Sequence, residues 1–168
     1  MRDSERPHLD IPFTPTDRLL EAVAAAVLVA LIVLPVYFYG QMPDSLPKHY
    51  NLQGQPDAWG HKSSLFLLTA IGSGLYILLT ILNRNPHKFN YLSKITPENA
   101  ADQYRNATRM IRLLKLIQLL LFLYLVVAGI RAGLGLQSSL GIPFLLLFVF
   151  SISFVALLFI VRSTRLQK

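Results

Sequence analysis

SLFLLTAIGSGLYILLTIL, from Ser64 to Leu82, runs for nineteen residues without a single charged side chain. The stretch IPFLLLFVFSISFVALLFIV, from Ile142 to Val161, is equally uncharged, and two further apolar blocks cover Ala22–Gly40 and Leu113–Leu136. A helix needs about 20 apolar residues to cross the hydrocarbon core of a membrane. Because the runs are continuous rather than alternating, they exclude the strands of a membrane β-barrel. The sequence therefore predicts an all-α integral membrane protein, a four-transmembrane-helix bundle.

The distribution of Lys and Arg predicts the orientation of the four spans, because short loops rich in these residues stay in the cytoplasm. The loop after the first span and the end of the third span carry three of them, Lys48, Lys62 and Arg131. The tails and the middle loop carry the other thirteen. We therefore expect both termini in the cytoplasm of a multi-pass protein of the plasma membrane, the cell inner membrane. The thirteen are Arg2, Arg6, Arg18, Arg84, Lys88, Lys94, Arg105, Arg109, Arg112, Lys115, Arg162, Arg165 and Lys168.

This bias accounts for nearly all of the formal net charge of +7, so no nucleic acid is expected as a partner. The expected partners are the lipid bilayer itself and, at the basic face, anionic lipid or a cytoplasmic protein.

The chain divides at the ends of its apolar blocks. Residues 1–21 form a cytoplasmic arm, which three prolines keep from forming one long helix. Residues 22–62 hold the first span and the outer loop, residues 63–112 the second span and a basic cytoplasmic segment, and residues 113–168 the last two spans and a basic tail. Thr96 followed by Pro97 is typical of a helix start. One helix is expected to begin there and to continue into the third span.

The outer loop between Gln41 and Ser63 is polar and rich in turn formers. One interpretation is an ordered connector, and the other is a small lid on the outer membrane face that binds a peptide or a protein partner. Arg131 either extends to water or pairs with Asp44 or Asp57. Weak candidates for metal ligands in the loop are His49, Asp57 and His61.

Small residues recur at four-residue spacing in the spans, as in Ala22, Ala26 and Ala30, or Ala70 and Gly74. Such faces let helices approach closely, either within the bundle or in a homodimer. We find no catalytic motif, no cysteine and no cofactor signature, so no enzyme and no cofactor are expected. Alternatives to a binding protein are a small transporter or permease-like subunit and a metal-binding membrane protein.

The loop motif MPDSLPKHYN, Met42 to Asn51, followed by GQPDAWG and Lys62, resembles the signature of domain of unknown function 1648, a bacterial membrane domain. The segment NPHKFNY, Asn85 to Tyr91, and the later TPENA, Thr96 to Ala100, are similar to a second block in short members of that family. In the family, the first block also lies between the first two membrane helices.

The same domain forms the N-terminal part of SdpI-like proteins, which are linked to immunity against a secreted toxin and to signalling. The resemblance therefore implies immunity or signal sensing through the outer loop. The candidate ligand or partner loop consists of Pro43, Pro47, His49, Asn51, Gly54, Pro56, Asp57, Trp59 and Lys62. The candidate cytoplasmic motif consists of Asn85, Pro86, Phe89, Asn90, Tyr91, Pro97, Glu98 and Asn99.

Overall fold

Four long helices make up most of the computed structural model, which describes residues 6–51, 53–136 and 139–166. They are α1 (Pro15–Phe38), α2 (Ser64–Leu82), α3 (Ala100–Gly133) and α4 (Ile142–Arg165). Within the described residues, all four are long and apolar enough to cross a membrane. The predicted four-span membrane protein is confirmed.

Helix α1 begins seven residues before the predicted start of the first span, inside the stretch expected to be an irregular arm. Thr14 is its N-cap and Pro15 occupies the first helical position, where a proline fits without losing a helical hydrogen bond. The Asp17 amide donates to Thr14 Oγ1 over 3.2 Å, and Asp17 Oδ2 accepts from the Thr14 amide over 2.9 Å. This reciprocal capping box fixes the helix start, so the irregular arm is shorter than predicted.

Helix α3 is the central element of the bundle. It is one continuous helix of 34 residues, as predicted, although it begins at Ala100 rather than near Pro97. The Ala100 amide donates to the Thr96 carbonyl over 2.9 Å, so Thr96 still stands at the helix entrance. Helices α1, α2 and α4 all pack against α3. Helices α1 and α2 also contact each other, whereas α4 packs mainly against α3.

The connection between α1 and α2 contains a β-hairpin, which the all-α prediction did not include. Strand β1 (Ser45–Tyr50) pairs antiparallel with β2 (Pro56–His61), from Ser45 opposite His61 to Tyr50 opposite Pro56. The register shifts around His49. In the turn, Asn51 Oδ1 accepts the amide hydrogens of Gln53 and Gln55 over 3.0 and 2.9 Å, which replaces strand pairing there.

The apolar core lies between the first three helices and reaches into the hairpin. Its buried members are Ala24, Leu31, Met42, Leu46, Leu65, Leu119, Val126 and Ile130. Gly72 permits the approach of α2 to α1, since a Cβ there would stand 2.8 Å from Leu31 Cδ2. The close contacts between helices therefore involve Ala24 in α1 and Gly72 in α2. The predicted faces at Ala22, Ala26, Ala70 and Gly74 are exposed instead.

Candidate functional site

The hairpin is fixed to one end of the bundle, which we call the hairpin end. Leu46 of β1 is 1% exposed and packs with Met42 against the end of α3. Gly133 makes room for both side chains, because a Cβ there would lie 2.8 Å from Leu46 Cδ2 and 3.0 Å from Met42 Cγ. The hairpin is thus part of the core rather than a loose loop.

The hairpin turn also contacts the connection between α3 and α4. The Gly54 carbonyl accepts from the Leu140 amide over 2.9 Å, and the Tyr124 hydroxyl donates to the Leu140 carbonyl. Gly54 has a φ of +74°, and a Cβ there would stand 2.9 Å from the Gly141 nitrogen. Of the predicted site residues, Gly54 therefore serves the docking of the turn.

Lys62 closes the base of the hairpin. Its ammonium group donates to the Met42 carbonyl over 3.2 Å, lies 3.1 Å from an Asp44 carboxylate oxygen and sits 4.7 Å from the centre of the Tyr39 ring. The two predicted acidic partners of Arg131 each contact another side chain. Asp44 lies beside Lys62, and Asp57 lies beside His49.

Four polar or aromatic side chains line the exposed face of the hairpin. His49 Nδ1 lies 2.6 Å from Asp57 Oδ1, and these side chains are 67% and 41% exposed. Trp59 follows two residues after Asp57 on the same face and is 56% exposed. His61 ends the row, with Nδ1 2.9 Å from Ser63 Oγ. We call His49, Asp57, Trp59 and His61 the exposed hairpin face.

The metal-ligand candidates are only partly brought together. His49 and Asp57 are in contact, but His61 is four strand residues beyond Asp57, a separation of roughly 13 Å. Among the described residues, no group of three or more His, Asp or Glu side chains is close enough to hold a metal ion.

The predicted cytoplasmic motif forms a packed strap between α2 and α3. Pro86 begins a single 3₁₀ turn, and the Tyr91 hydroxyl donates to the Pro86 carbonyl over 2.9 Å. Burial raises the pKa of the Tyr91 phenol. The Arg6 guanidinium donates to the His87 and Phe89 carbonyls over 3.1 and 2.7 Å, which ties the N-terminal arm to the strap.

The remaining motif residues occupy the two ends of the strap. Asn85 precedes the 3₁₀ turn, and Asn99 Oδ1 accepts from the Thr96 amide over 2.9 Å, while Pro97 and Glu98 are exposed at the start of α3. A hydrogen bond from Thr96 lowers the pKa of the Glu98 carboxyl. Phe89, Asn90 and Tyr91 line a cavity of about 360 Å³ between the strap, α3 and α4.

A buried ion cluster joins α1 to α3 at the end opposite the hairpin, which we call the cluster end. Lys115 Nζ lies 2.6 Å from Glu21 Oε2, and Arg109 Nε lies 3.1 Å from Asp17 Oδ1. Arg112 contacts both acids, at 3.6 Å from Asp17 Oδ1 and 3.3 Å from Glu21 Oε1. Asp17, Arg112 and Lys115 are at most 5% exposed.

Sequence reasoning missed this cluster, although a signal was present. Asp17 and Glu21 are four residues apart, and Arg109, Arg112 and Lys115 recur every three residues, so each set lies on one helix face. The charge bias of Arg109, Arg112 and Lys115 predicts the orientation and a basic face for anionic lipid, but by itself it does not predict that these residues pair with the two acids. A cavity of about 450 Å³, lined by both polar and apolar side chains, adjoins the cluster between the N-terminal arm, α2 and α3, and its lining includes Glu21, Thr80, Asn83, Arg84 and Arg112.

Four membrane-crossing helices with a docked hairpin and a buried ion cluster define a multi-pass membrane protein. Residues 26–72, which cover the second half of α1, the hairpin and the first half of α2, match the family described as Domain of unknown function (DUF1648). The family resemblance predicted from the loop motif is confirmed.

One similar protein extends the comparison beyond that segment. An uncharacterized protein of Archaeoglobus fulgidus is 26% identical over 152 residues, which cover 82% of this chain and 83% of that protein. No solved structure matches the chain significantly.

Proposed function

We propose that this protein lies in the plasma membrane with its cluster end and both termini in the cytoplasm and its hairpin outside. The charge distribution supports this orientation. Of the thirteen predicted cytoplasmic Lys and Arg residues, Arg2 and Lys168 lie outside the described residues, and the other eleven belong to the N-terminal arm or the cluster-end parts of the fold. The hairpin end carries Lys48, Lys62 and Arg131.

The hairpin is the proposed recognition element, and the protein is proposed to act by binding rather than by catalysis. The observation that carries this proposal is that docking through Leu46 and Gly54 leaves His49, Asp57 and Trp59 together on an exposed surface. A surface already held in shape loses little conformational entropy on binding, and tryptophan is enriched among the residues that dominate interfaces. The proposed partner is a peptide or a protein outside the cytoplasm.

The resemblance to SdpI-like proteins favours toxin immunity or signal sensing as the biological role of this binding. In both roles the exposed hairpin face would meet the extracellular molecule. The bundle would then hold that face at a fixed height above the membrane.

Replacing three of the four side chains of the exposed hairpin face should abolish function without unfolding the protein. We expect a variant with His49→Ala, Asp57→Ala and Trp59→Ala to reach the membrane at the wild-type level, because all three side chains are largely exposed. It should fail to complement a deletion strain and should lose the partners recovered with the wild-type protein after cross-linking on cells.

Gln53→Ala is the matched control, since Gln53 is exposed in the same hairpin but lies in the turn rather than on that face. It should behave as wild type. Full complementation and unchanged partner recovery by the triple variant would show that the hairpin is an ordered connector.

A small permease-like subunit is the second candidate, and the cavity beside Glu21 and Thr80 is the observation that favours it. The cavity lies at the cluster end only. Farther along the bundle, Leu31, Leu119 and Val126 are all fully buried and fill the space between α1 and α3. A solute would have to displace this apolar layer, so binding is the better-supported function.

A further inference from the structure

We propose that the cleft between α3 and α4 at the cluster end binds one anionic phospholipid through its phosphate group. The cleft encloses about 160 Å³, and its lining includes the side chains of Arg105, Arg109 and Arg162 together with Asp102. A neighbouring apolar groove of about 520 Å³ runs along α4 and shares Phe159 and Arg162 with it. The cationic cleft and the apolar groove therefore lie side by side, as the phosphate group and the acyl chains do in a phospholipid.

The charges of the cleft leave one cation unmatched. The Arg105 guanidinium donates a hydrogen bond to the Asp102 carboxylate over 3.1 Å, and the Arg109 guanidinium donates one to the Asp17 carboxylate. The exposed Arg162 side chain makes no hydrogen bond or ion pair with any residue that the structure describes. A phosphodiester carries a single negative charge, so it would balance this cation.

The guanidinium of Arg105, which lines the cleft, has one hydrogen-bond donor that no described residue uses. Arg105 Nε is buried and has no hydrogen-bond partner within the described part of the chain. Guanidinium groups bind phosphate oxygens with paired, charge-assisted hydrogen bonds, which makes arginine well suited to this ligand. A phosphate between Arg105 and Arg162 would give both side chains an acceptor.

The position of the cleft along α4 corresponds to the level of lipid headgroups. The uncharged stretch of α4 ends at Val161, and Arg162 follows directly. Leu158 and Val161 in the apolar groove are 50% and 40% exposed, so an acyl chain can lie against them from the membrane side. A basic residue at this boundary attracts anionic lipid.

Hydrogen bonds between α3 and α4 fix the spacing of the two helices beside the cleft. Asn106 Nδ2 donates to the Phe159 carbonyl over 2.9 Å, and Gln103 Nε2 donates to the Ser163 carbonyl over 2.9 Å. Asn106 and Phe159 also line the cleft, so one of these bonds lies at its wall. This inference goes beyond the proposed hairpin function and does not depend on which side the hairpin occupies.

Native mass spectrometry of the full-length protein in detergent, titrated with phosphatidylglycerol, tests the proposal. Wild type should retain one phosphatidylglycerol and should not retain diacylglycerol, which lacks the phosphate. Arg162→Gln should weaken the binding about tenfold, the effect of losing one charge-assisted hydrogen bond. Arg105→Gln should weaken it to a similar extent.

Arg18→Gln is the matched control, because Arg18 is an exposed arginine at the same end of the bundle but does not line the cleft. It should bind phosphatidylglycerol as wild type does. An equal loss in Arg18→Gln would mean unspecific attraction by surface charge and would overturn the site. Displacement of the lipid by glycerol 3-phosphate at equal concentration would overturn the lipid assignment, because a soluble phosphate ester would then suffice.

Discussion

Replacing Asp17 with alanine should lower the free energy of unfolding by about 3–5 kcal/mol, the usual effect of removing one partner from a buried ion pair. Asp17 is 2% exposed and contacts both Arg109 and Arg112. Without the Asp17 carboxylate, Arg109 would lose its acidic partner, and the buried Arg112 and Lys115 would share Glu21 alone. The capping box at the start of α1 would be lost as well. Unfolding by sodium dodecyl sulfate in mixed micelles, followed by circular dichroism, measures the change.

Asp10→Ala provides the control for this experiment. Asp10 is an exposed acid of the N-terminal arm that lines the cavity beside the ion cluster, and its substitution should change the unfolding free energy by less than about 0.5 kcal/mol. In the Asp17→Ala background, Arg109→Met should restore part of the stability, because it removes an uncompensated charge. Equal stabilities of the Asp17→Ala and Asp10→Ala proteins would mean that the ion cluster does not hold α1 against α3.

Replacing Leu46 with alanine should destabilise the hairpin end by about 2–5 kcal/mol through the cavity left behind. Leu46 is 1% exposed and contacts the groove that Gly133 leaves in α3. Because this contact anchors β1, we also expect the hairpin to open more often. Trypsin should then cleave after Lys48 and Lys62 faster than in wild type.

Leu136→Ala controls for the loss of an apolar side chain at the same end, since Leu136 is 68% exposed. Its cleavage rate and unfolding free energy should match those of wild type. If Leu46→Ala leaves trypsin cleavage at Lys48 and Lys62 unchanged, the hairpin is held by other contacts, such as the bond from Leu140 to Gly54.

The four spans could be predicted because apolar runs of this length have no other stable arrangement in a chain of this composition. The start of α1 was predictable too, since Thr14-Pro15 has the same pattern as Thr96-Pro97. Proline breaks a helix at most positions, and that property alone predicts an irregular arm before the first apolar block. Proline at the first helical position has the opposite meaning.

The hairpin and the ion cluster are harder to infer from one sequence. Pro47 and Pro56 lie within the strands, and proline normally argues against strand structure. The strands form here because they are short and because β1 packs against α3. The ion cluster joins residues 92 positions apart, such as Asp17 and Arg109. Which acid meets which base depends on how α1 and α3 pack, and the residue spacing within each helix does not contain that information.

Cysteine accessibility in cells shows directly which side of the membrane the hairpin occupies. The chain has no cysteine, so Gln53→Cys in the hairpin turn and Asn90→Cys in the strap each introduce a single exposed thiol. We predict that a membrane-impermeant maleimide labels the Gln53→Cys protein in intact cells and labels the Asn90→Cys protein only after the cells are permeabilised. Labelling of Asn90→Cys but not Gln53→Cys in intact cells would contradict the orientation and, with it, a hairpin that meets an extracellular partner.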